Sequence, residues 1–218
     1  MIGILILLLI SWGALRIATG RGLTVLGLVP DRRLSGEIFG SLAATAVLCL
    51  GYHLLKNASE TAVVSVNPDF TGMTFLAGLR SVIQSVVTEE LVFRGAALYL
   101  LTEYAREKKA VAISAIAFGI YHWFSFGLWG QVVPMAYVFL LTGGAGWAFA
   151  LSFVRTRSLY VPVALHLGWN AVHLLVFGKQ GYWLAQPTRS APVAFAVALF
   201  LYQLVLLPLL AYRRWGRR

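Results

Sequence analysis

The residues of this sequence that could do chemistry are carboxylate, imidazole and amide side chains set at regular short spacings. A carboxylate near imidazoles can hold and deprotonate a water molecule, and an imidazole beside an amide can donate hydrogen bonds to an oxyanion. Together these residue types predict a site that hydrolyses a peptide bond. The candidate catalytic residues are Glu89, His122, His166 and Asn170, and the supporting residues are Glu90 and Arg94.

Spacing along a helix predicts how these side chains divide the work. Glu90 and Arg94 are four residues apart, so they can form an ion pair on one helix face. Glu89 points about 100° away from Glu90 on a helix of 3.6 residues per turn and is free to face a hydrated cavity as the general base. His166 and Asn170 are also four apart and share a face, as a pair of oxyanion donors requires.

The composition predicts that membrane helices carry these residues. Hydrophobic residues make up 59% of the 218 residues and charged residues 12%, whereas a soluble domain has about 25% charged residues. Apolar stretches of membrane-crossing length, about 17–25 residues, recur between short polar interruptions. Isolated stretches of this kind span a bilayer only as helices, so we expect an all-α, polytopic membrane helix bundle. The seven predicted spans are 2–18, 36–56, 73–102, 110–127, 132–153, 158–178 and 192–212.

The basic residues are divided unequally between the two sides of the predicted bundle. Cytoplasmic loops are enriched in Lys and Arg, so this inequality predicts an external N-terminus and a cytoplasmic C-terminus. A net charge of +10 does not indicate a nucleic-acid partner, because the basic residues lie at the ends of apolar runs. The predicted cytoplasmic set is Arg16, Arg21, Arg32, Arg33, Arg106, Lys108, Lys109, Arg155, Arg157, Arg213, Arg214, Arg217 and Arg218, against Lys56, Lys179 and Arg189 outside.

The chain is predicted to form one membrane domain over residues 1–218, with its motifs within about residues 75–178. Its shortness and few loops indicate a bacterial inner membrane. The longest polar connection, near residues 57–71, is expected to hold a short strand or an interfacial segment.

The candidate residues are predicted to meet at one depth in the bilayer. At about 1.5 Å per helical residue, Glu89 and Glu90 lie about 18–20 Å from the cytoplasmic end of their span. On the same estimate His122 lies about 18 Å deep, and the segment from His166 to Asn170 lies about 12–18 Å deep. Ionisable side chains at such depth are costly and usually line a functional path.

Other polar residues in the spans receive simpler interpretations. Cys49 is the only cysteine, so no intrachain disulfide is possible, and we expect it to be a small packing residue. His53 and His173 are expected to be packing or interfacial residues. Glycines in the fifth span indicate close helix packing; they are Gly143, Gly144 and Gly146.

Three motifs on separate predicted helices now indicate a family. They are Glu-Glu-x-x-x-Arg from Glu89, Phe-x-x-x-His from Phe118 and His-x-x-x-Asn from His166. In this order they resemble the CPBP family of intramembrane proteases, the CAAX prenyl endopeptidase and bacteriocin-processing and immunity group. The resemblance implies that Glu89 activates water with the help of His122. It also implies that His166 and Asn170 stabilise the oxyanion, with Glu90 and Arg94 in support.

The resemblance leaves the metal question open, since the family has been described both as metal-dependent and as glutamate-dependent. The sequence lacks the His-Glu-x-x-His helix of common zinc proteases, and we expect a site with no metal cofactor. The alternative is zinc bound by Glu89, His122 and His166.

The sequence thus predicts an intramembrane endopeptidase that cleaves a membrane-anchored protein or peptide, from a cavity opening mainly to the cytoplasm. Nothing in it selects a prenylated substrate. One alternative is a non-catalytic membrane binding, immunity or maturation factor that uses the same pocket. A proton-coupled transporter is a further alternative, since buried carboxylates and histidines also build proton relays.

Overall fold

The protein is an all-α membrane helix bundle with one small two-stranded antiparallel sheet, whose strands are far apart in the sequence. A computed structural model describes residues 2–29 and 32–215. This part of the chain also holds a 3₁₀ turn at Leu23–Leu26, and a π-helical turn at Val172–Val176 extends the seventh helix. The α-helices are α1 (Ile2–Thr19), α2 (Arg32–Ser59), α3 (Gly72–Arg94), α4 (Ala96–Tyr104), α5 (Glu107–Ser125), α6 (Val132–Thr156), α7 (Tyr160–Ala171) and α8 (Val193–Trp215), and the strands are β1 (Val63–Val66) and β2 (Trp183–Gln186).

Four helices are long and apolar enough to cross a bilayer by length and composition: α1, α2, α6 and α8. The other three predicted spans correspond to α3 with α4, to α5, and to α7 with its π-helical turn. Helix α7 with its π-helical turn is apolar but shorter than these four, and α3 and α5 contain several charged residues. The helices with the weakest membrane signal are therefore the ones that position the site.

The third predicted span, 73–102, is wrong as a single helix. The chain breaks at Gly95, which separates α3 from α4 and has a non-helical ψ of −129°. A Cβ atom at this position would overlap the carbonyl oxygen of Leu91. The close approach requires glycine, and apolar composition alone carries no signal for it.

Contacts between loops define two ends of the bundle. At one end β1 pairs antiparallel with β2, from Val63 opposite Gln186 to Val66 opposite Trp183. The expected short strand between residues 57 and 71 is thus confirmed. It places the loop after α2 and the loop after α7 on the same side, as the predicted topology requires.

The other end gathers basic residues and their partners. Arg155 pairs with Glu107 at 2.7 Å, and Arg214 pairs with Glu37 at 2.7 Å. The backbone NH of Leu159 donates to Leu26, which joins the loop after α1 to the loop after α6. Arg217 and Arg218 of the predicted cytoplasmic set lie outside the described residues.

Helix packing brings α3, α5 and α7 around α6 and α2. Helix α7 packs against α2, α3 and α6, and α5 packs along α6. The predicted close packing at the α6 glycines is confirmed. A Cβ on Gly146 would lie 3.0 Å from Arg94 Nη2 and 3.0 Å from the ring of Phe118, while positions 143 and 144 contact Ala115 and Leu204.

Candidate active site

The last two turns of α3 bury an ion pair. Arg94 Nη1 donates to Glu90 Oε1 at 3.1 Å, and both side chains are fully buried, which confirms the predicted pair. Arg94 Nη2 donates to the carbonyl oxygen of Gly146 at 3.1 Å. The guanidinium lies 4.1 Å from the ring centroid of Phe118, a cation–π contact. Removing either charge would leave the other buried and unpaired.

Glu90 also binds a histidine, which the sequence did not predict. Its Oε1 atom accepts a hydrogen bond from His166 Nδ1 at 2.9 Å. The imidazole of His166 stacks on Phe149, with ring centroids 5.0 Å apart and planes 20° from parallel. Glu90 therefore joins α3 to α7 and fixes the orientation of the His166 ring. No local spacing rule could have revealed this pair, because the residues are 76 positions apart.

Glu89 has a different environment from that of its neighbour. Its Oε1 atom accepts a hydrogen bond from Ser85 Oγ at 3.0 Å. Its Oε2 atom is buried and has no hydrogen-bond partner among the described residues. Oε2 lies 3.9 Å from His122 Nε2 and 3.9 Å from His166 Nε2. The structure thus brings together three of the four candidate catalytic side chains around one unpartnered carboxylate oxygen.

The outer hydrogen bonds fix which nitrogen of each imidazole faces Glu89. His122 Nδ1 lies 2.8 Å from the carbonyl oxygen of Phe118. A carbonyl only accepts, so Nδ1 carries the proton and Nε2 of neutral His122 is an acceptor. His166 Nδ1 donates to the carboxylate of Glu90 in the same way. His166 Nε2 is therefore an acceptor in the neutral ring and a donor in the imidazolium ion.

Asn170, the fourth candidate, lies one helical turn after His166 on α7. Its side chain is half-buried and makes no hydrogen bond within the described residues. An amide with its donors free on the face that carries His166 is available to a bound substrate.

A cavity of about 570 Å³ adjoins Glu89. Polar residues of α3 form most of its wall, which runs from Glu89 toward the N-terminal end of the helix. If the N-terminus of the protein is outside, the N-terminal half of α3 is its outer half, and the cavity opens toward the outside. The expected opening mainly to the cytoplasm therefore conflicts with the predicted orientation of the protein. The lining residues are Ala77, Arg80, Ser81, Gln84, Ser85, Thr88, Glu89 and Tyr121.

The candidate zinc ligands can be compared with the geometry that zinc requires. Carboxylate and imidazole donors are chemically suitable, and the hydrogen bonds to Phe118 and Glu90 are the outer-shell partners that such ligands usually have. A tetrahedral zinc ion at about 2.0–2.2 Å from each donor needs donor atoms about 3.4 Å apart. Two groups hydrogen-bonded at about 2.8 Å to one tetrahedral water are about 4.6 Å apart. The 3.9 Å separations from Glu89 Oε2 lie between these two values and accommodate either a zinc ion or a water.

Cys49, His53 and His173 also converge, although sequence reasoning assigned them separately to packing or interfacial positions. Their ligand atoms all lie within 4.8 Å of one another. His53 Nε2 and His173 Nδ1 are 3.0 Å apart. The four-residue spacing of Cys49 and His53 on α2 was the only local signal; the third member comes from the π-helical turn after α7.

Comparison with known proteins covers the part of the chain that holds these motifs. Residues 71–172 match the family described as Type II CAAX prenyl endopeptidase Rce1-like. No curated protein and no solved structure matches the chain. The matched region runs from the residue before α3 to the residue after α7 and contains all four candidate catalytic residues. Over these residues, a little under half of the chain, the protein is similar to the Rce1-like type II CAAX prenyl endopeptidases, which agrees with the resemblance that its motifs carry.

Proposed function

We propose that this membrane protease hydrolyses a peptide bond of a membrane-associated protein with a water molecule activated by Glu89, without a metal cofactor. The observation that supports the proposal most strongly is the Oε2 atom of Glu89. It is buried, has no partner within the described residues and lies 3.9 Å from two imidazole Nε2 atoms. A water in this position would have two acceptors, Glu89 and His122, for its two protons.

In the first step Glu89 removes a proton from this water while His122 Nε2 accepts its other hydrogen bond. The water oxygen forms a bond to the scissile carbonyl carbon, and the carbonyl oxygen becomes an oxyanion. Asn170 and protonated His166 donate hydrogen bonds to that oxyanion. The carboxylate of Glu90 accepts a hydrogen bond from His166 Nδ1 at 2.9 Å and holds the ring with Nε2 toward the site. Donors aimed at developing charge are usually the largest single catalytic contribution.

In the second step the tetrahedral intermediate collapses and the bond from carbon to nitrogen breaks. Glu89 returns its proton to the leaving amine, which restores the carboxylate. If zinc were bound instead, Glu89, His122 and His166 would hold it, and the metal would polarise the carbonyl and lower the pKa of its bound water.

The substrate is proposed to lie in the cavity along α3. Arg80 lines this cavity on α3, nine residues before Glu89. It has no ion-pair or hydrogen-bond partner among the described residues and offers a positive charge to a bound chain. We assign the N-terminus to the outside and the C-terminus to the cytoplasm of a bacterial inner membrane. The orientation rests on the excess of basic residues at one end of the bundle, and the choice of a bacterial inner membrane rests on the few loops.

The test is cleavage of candidate membrane-anchored substrates by purified protein in detergent, comparing wild type with Glu89→Gln. Glu103→Gln is the matched control, because Glu103 is an exposed carboxylate on α4 outside the site. We expect Glu89→Gln to lose 10²–10⁴-fold in rate, about the range for loss of a general base. Glu103→Gln should cleave at the wild-type rate.

A non-catalytic binding, immunity or maturation factor is the second candidate, and it would use the same pocket to hold a peptide. It predicts that Glu89→Gln, which preserves the shape of the side chain, keeps full biological activity in cells. A protease predicts loss of that activity.

A further inference from the structure

In the described chain, one group of three His, Cys, Asp or Glu residues has all its ligand atoms within 4.8 Å of one another. It consists of Cys49, His53 and His173. Helix α2 supplies Cys49 and His53 from adjacent turns of one face. His173 comes from the π-helical turn that extends α7, and such turns occur frequently at functional sites. Two helices that pack against each other thus each direct metal-binding side chains to one point.

The donor atoms are close to the spacing that a metal ion imposes. His53 Nε2 and His173 Nδ1 are 3.0 Å apart, whereas two imidazole nitrogens on a tetrahedral zinc ion are separated by about 3.4 Å. In the absence of metal one of these nitrogens donates its proton to the other. Binding an ion between the two rings requires that this ring move its proton to its other nitrogen, and ligation by Cys49 requires loss of the thiol proton.

Aromatic side chains pack against the donors, and one of the three donors is exposed. The ring of His53 stacks on Phe177, with centroids 4.3 Å apart and planes 8° from parallel. Tyr52 contacts the His53 ring edge-on. Cys49 is fully buried and His53 is 7% exposed. His173 is exposed, so an ion can enter past its ring. Because the three donors already lie within 4.8 Å of one another, they need little rearrangement to bind an ion.

We propose that Cys49, His53 and His173 bind one Zn²⁺ ion at a site separate from the catalytic centre. One thiolate and two imidazoles suit zinc and other borderline or soft ions, and three protein ligands leave a fourth position for water. Binding replaces the thiol proton of Cys49, so one proton is released per ion. His173 lies seven residues beyond His166, about 10 Å along the helix.

The ion would clamp α2 to α7, the helix that carries His166 and Asn170. A chelator would then slow the enzyme by loosening this clamp, although the reaction proposed above uses no metal. The site therefore offers a source of metal dependence that is distinct from zinc bound by Glu89.

The experiment titrates full-length protein, purified in detergent and stripped of metal, with Co²⁺ as a spectroscopic substitute for Zn²⁺. Because Cys49 is the only cysteine, a thiolate-to-cobalt charge-transfer band can arise only from this site. We expect the band to saturate at one ion per chain, to disappear on addition of Zn²⁺ and to be absent in Cys49→Ser. Glu89→Gln should give the same band and the same stoichiometry.

Two further variants separate ligation from packing. His53→Gln and His173→Gln should each abolish or strongly weaken the band while far-UV circular dichroism stays that of wild type. A wild-type protein that shows no thiolate band, or a band that persists in both histidine variants, would overturn the proposal. A different outcome is that wild type binds two ions per chain, while Cys49→Ser loses the thiolate band and keeps one bound ion. That result would support this site and assign the second ion elsewhere.

Discussion

At the scale of single residues, adjacent carboxylates on α3 have opposite environments. Glu90 is fully buried and accepts hydrogen bonds from Arg94 and His166. Glu89 lines an open cavity, and its Oε2 atom has no partner in the described chain. Glu90 Oε1 thus holds three helices together through Arg94 and His166. The Oε2 atoms of both carboxylates have no hydrogen-bond partner in the described chain, but only Glu89 lines the cavity, where a substrate or a water can reach it.

Glu90→Gln should reduce stability more than Glu89→Gln. The change leaves the fully buried guanidinium of Arg94 without its counter-charge, and loss of one partner of a buried ion pair costs about 3–5 kcal/mol. Glu89→Gln leaves the ion pair between Arg94 and Glu90 intact. Thermal unfolding of both variants in one detergent measures the difference, and equal melting temperatures would contradict the assigned division of work.

Asn170→Ala should reduce catalysis with little effect on stability. The side chain makes no hydrogen bond within the described residues, so its loss breaks no contact in the folded protein. Loss of one oxyanion donor costs about 10²–10³-fold in kcat. Steady-state kinetics with parallel melting curves test this. An unchanged kcat would remove Asn170 from the catalytic residues, and a large loss of stability would give it a structural role instead.

At the scale of helices, close packing of α2 against α7 sets the position of His166. Gly168 lies two residues after His166 and faces α2. A Cβ atom there would overlap the carbonyl oxygen of Leu42 and the hydroxyl of Thr45. The small residue allows the two backbones to approach, as is usual in membrane bundles.

Gly168→Ala should therefore shift α7 away from α2 and displace His166 from Glu89. Overpacking at such a contact costs about 1–3 kcal/mol, and catalysis should fall with stability. Gly40→Ala on α2 is the matched control, since a Cβ at Gly40 has no neighbour within 4 Å. Melting curves and cleavage rates of both variants test the prediction. A Gly168→Ala protein as stable and active as Gly40→Ala would contradict it.

The features of the helices that could be predicted are those that follow from regular spacing of residues along the sequence. The pair between Glu90 and Arg94 follows from a four-residue separation on one helix, and apolar length indicated α1, α2, α6 and α8. The break at Gly95 and the bond from Glu90 to His166 depend on close approach between distant segments. Such contacts have no local pattern, so a single sequence does not reveal them. The convergence of His173 on His53 likewise depends on a π-helical turn that hydropathy does not encode.

At the scale of the whole molecule, the connecting loops divide between two ends of the bundle. The strands β1 and β2 pair at one end. The other end contains ion pairs of Arg155 and Arg214 with acidic partners. This segregation is what the predicted orientation requires, with the basic end in the cytoplasm.

Single cysteines introduced into a Cys49→Ser background test the orientation. Position 65 on β1 and position 108 at the start of α5 are both exposed. A membrane-impermeant thiol reagent added to intact cells or spheroplasts should label Ser65→Cys and leave Lys108→Cys unlabelled until the membrane is permeabilised. The reverse pattern would place the basic end outside and invert the proposed topology.

The most direct test of the central claim is the cleavage rate of metal-stripped wild-type protein beside metal-stripped Glu89→Gln. A glutamate-activated water predicts that the stripped wild type still cleaves and that Glu89→Gln is slower by about 10²–10⁴-fold. Equal rates in the two proteins would contradict the role of Glu89. Cleavage that disappears on stripping and returns with Zn²⁺ in a Cys49→Ser background would contradict the metal-free mechanism and assign the ion to Glu89, His122 and His166.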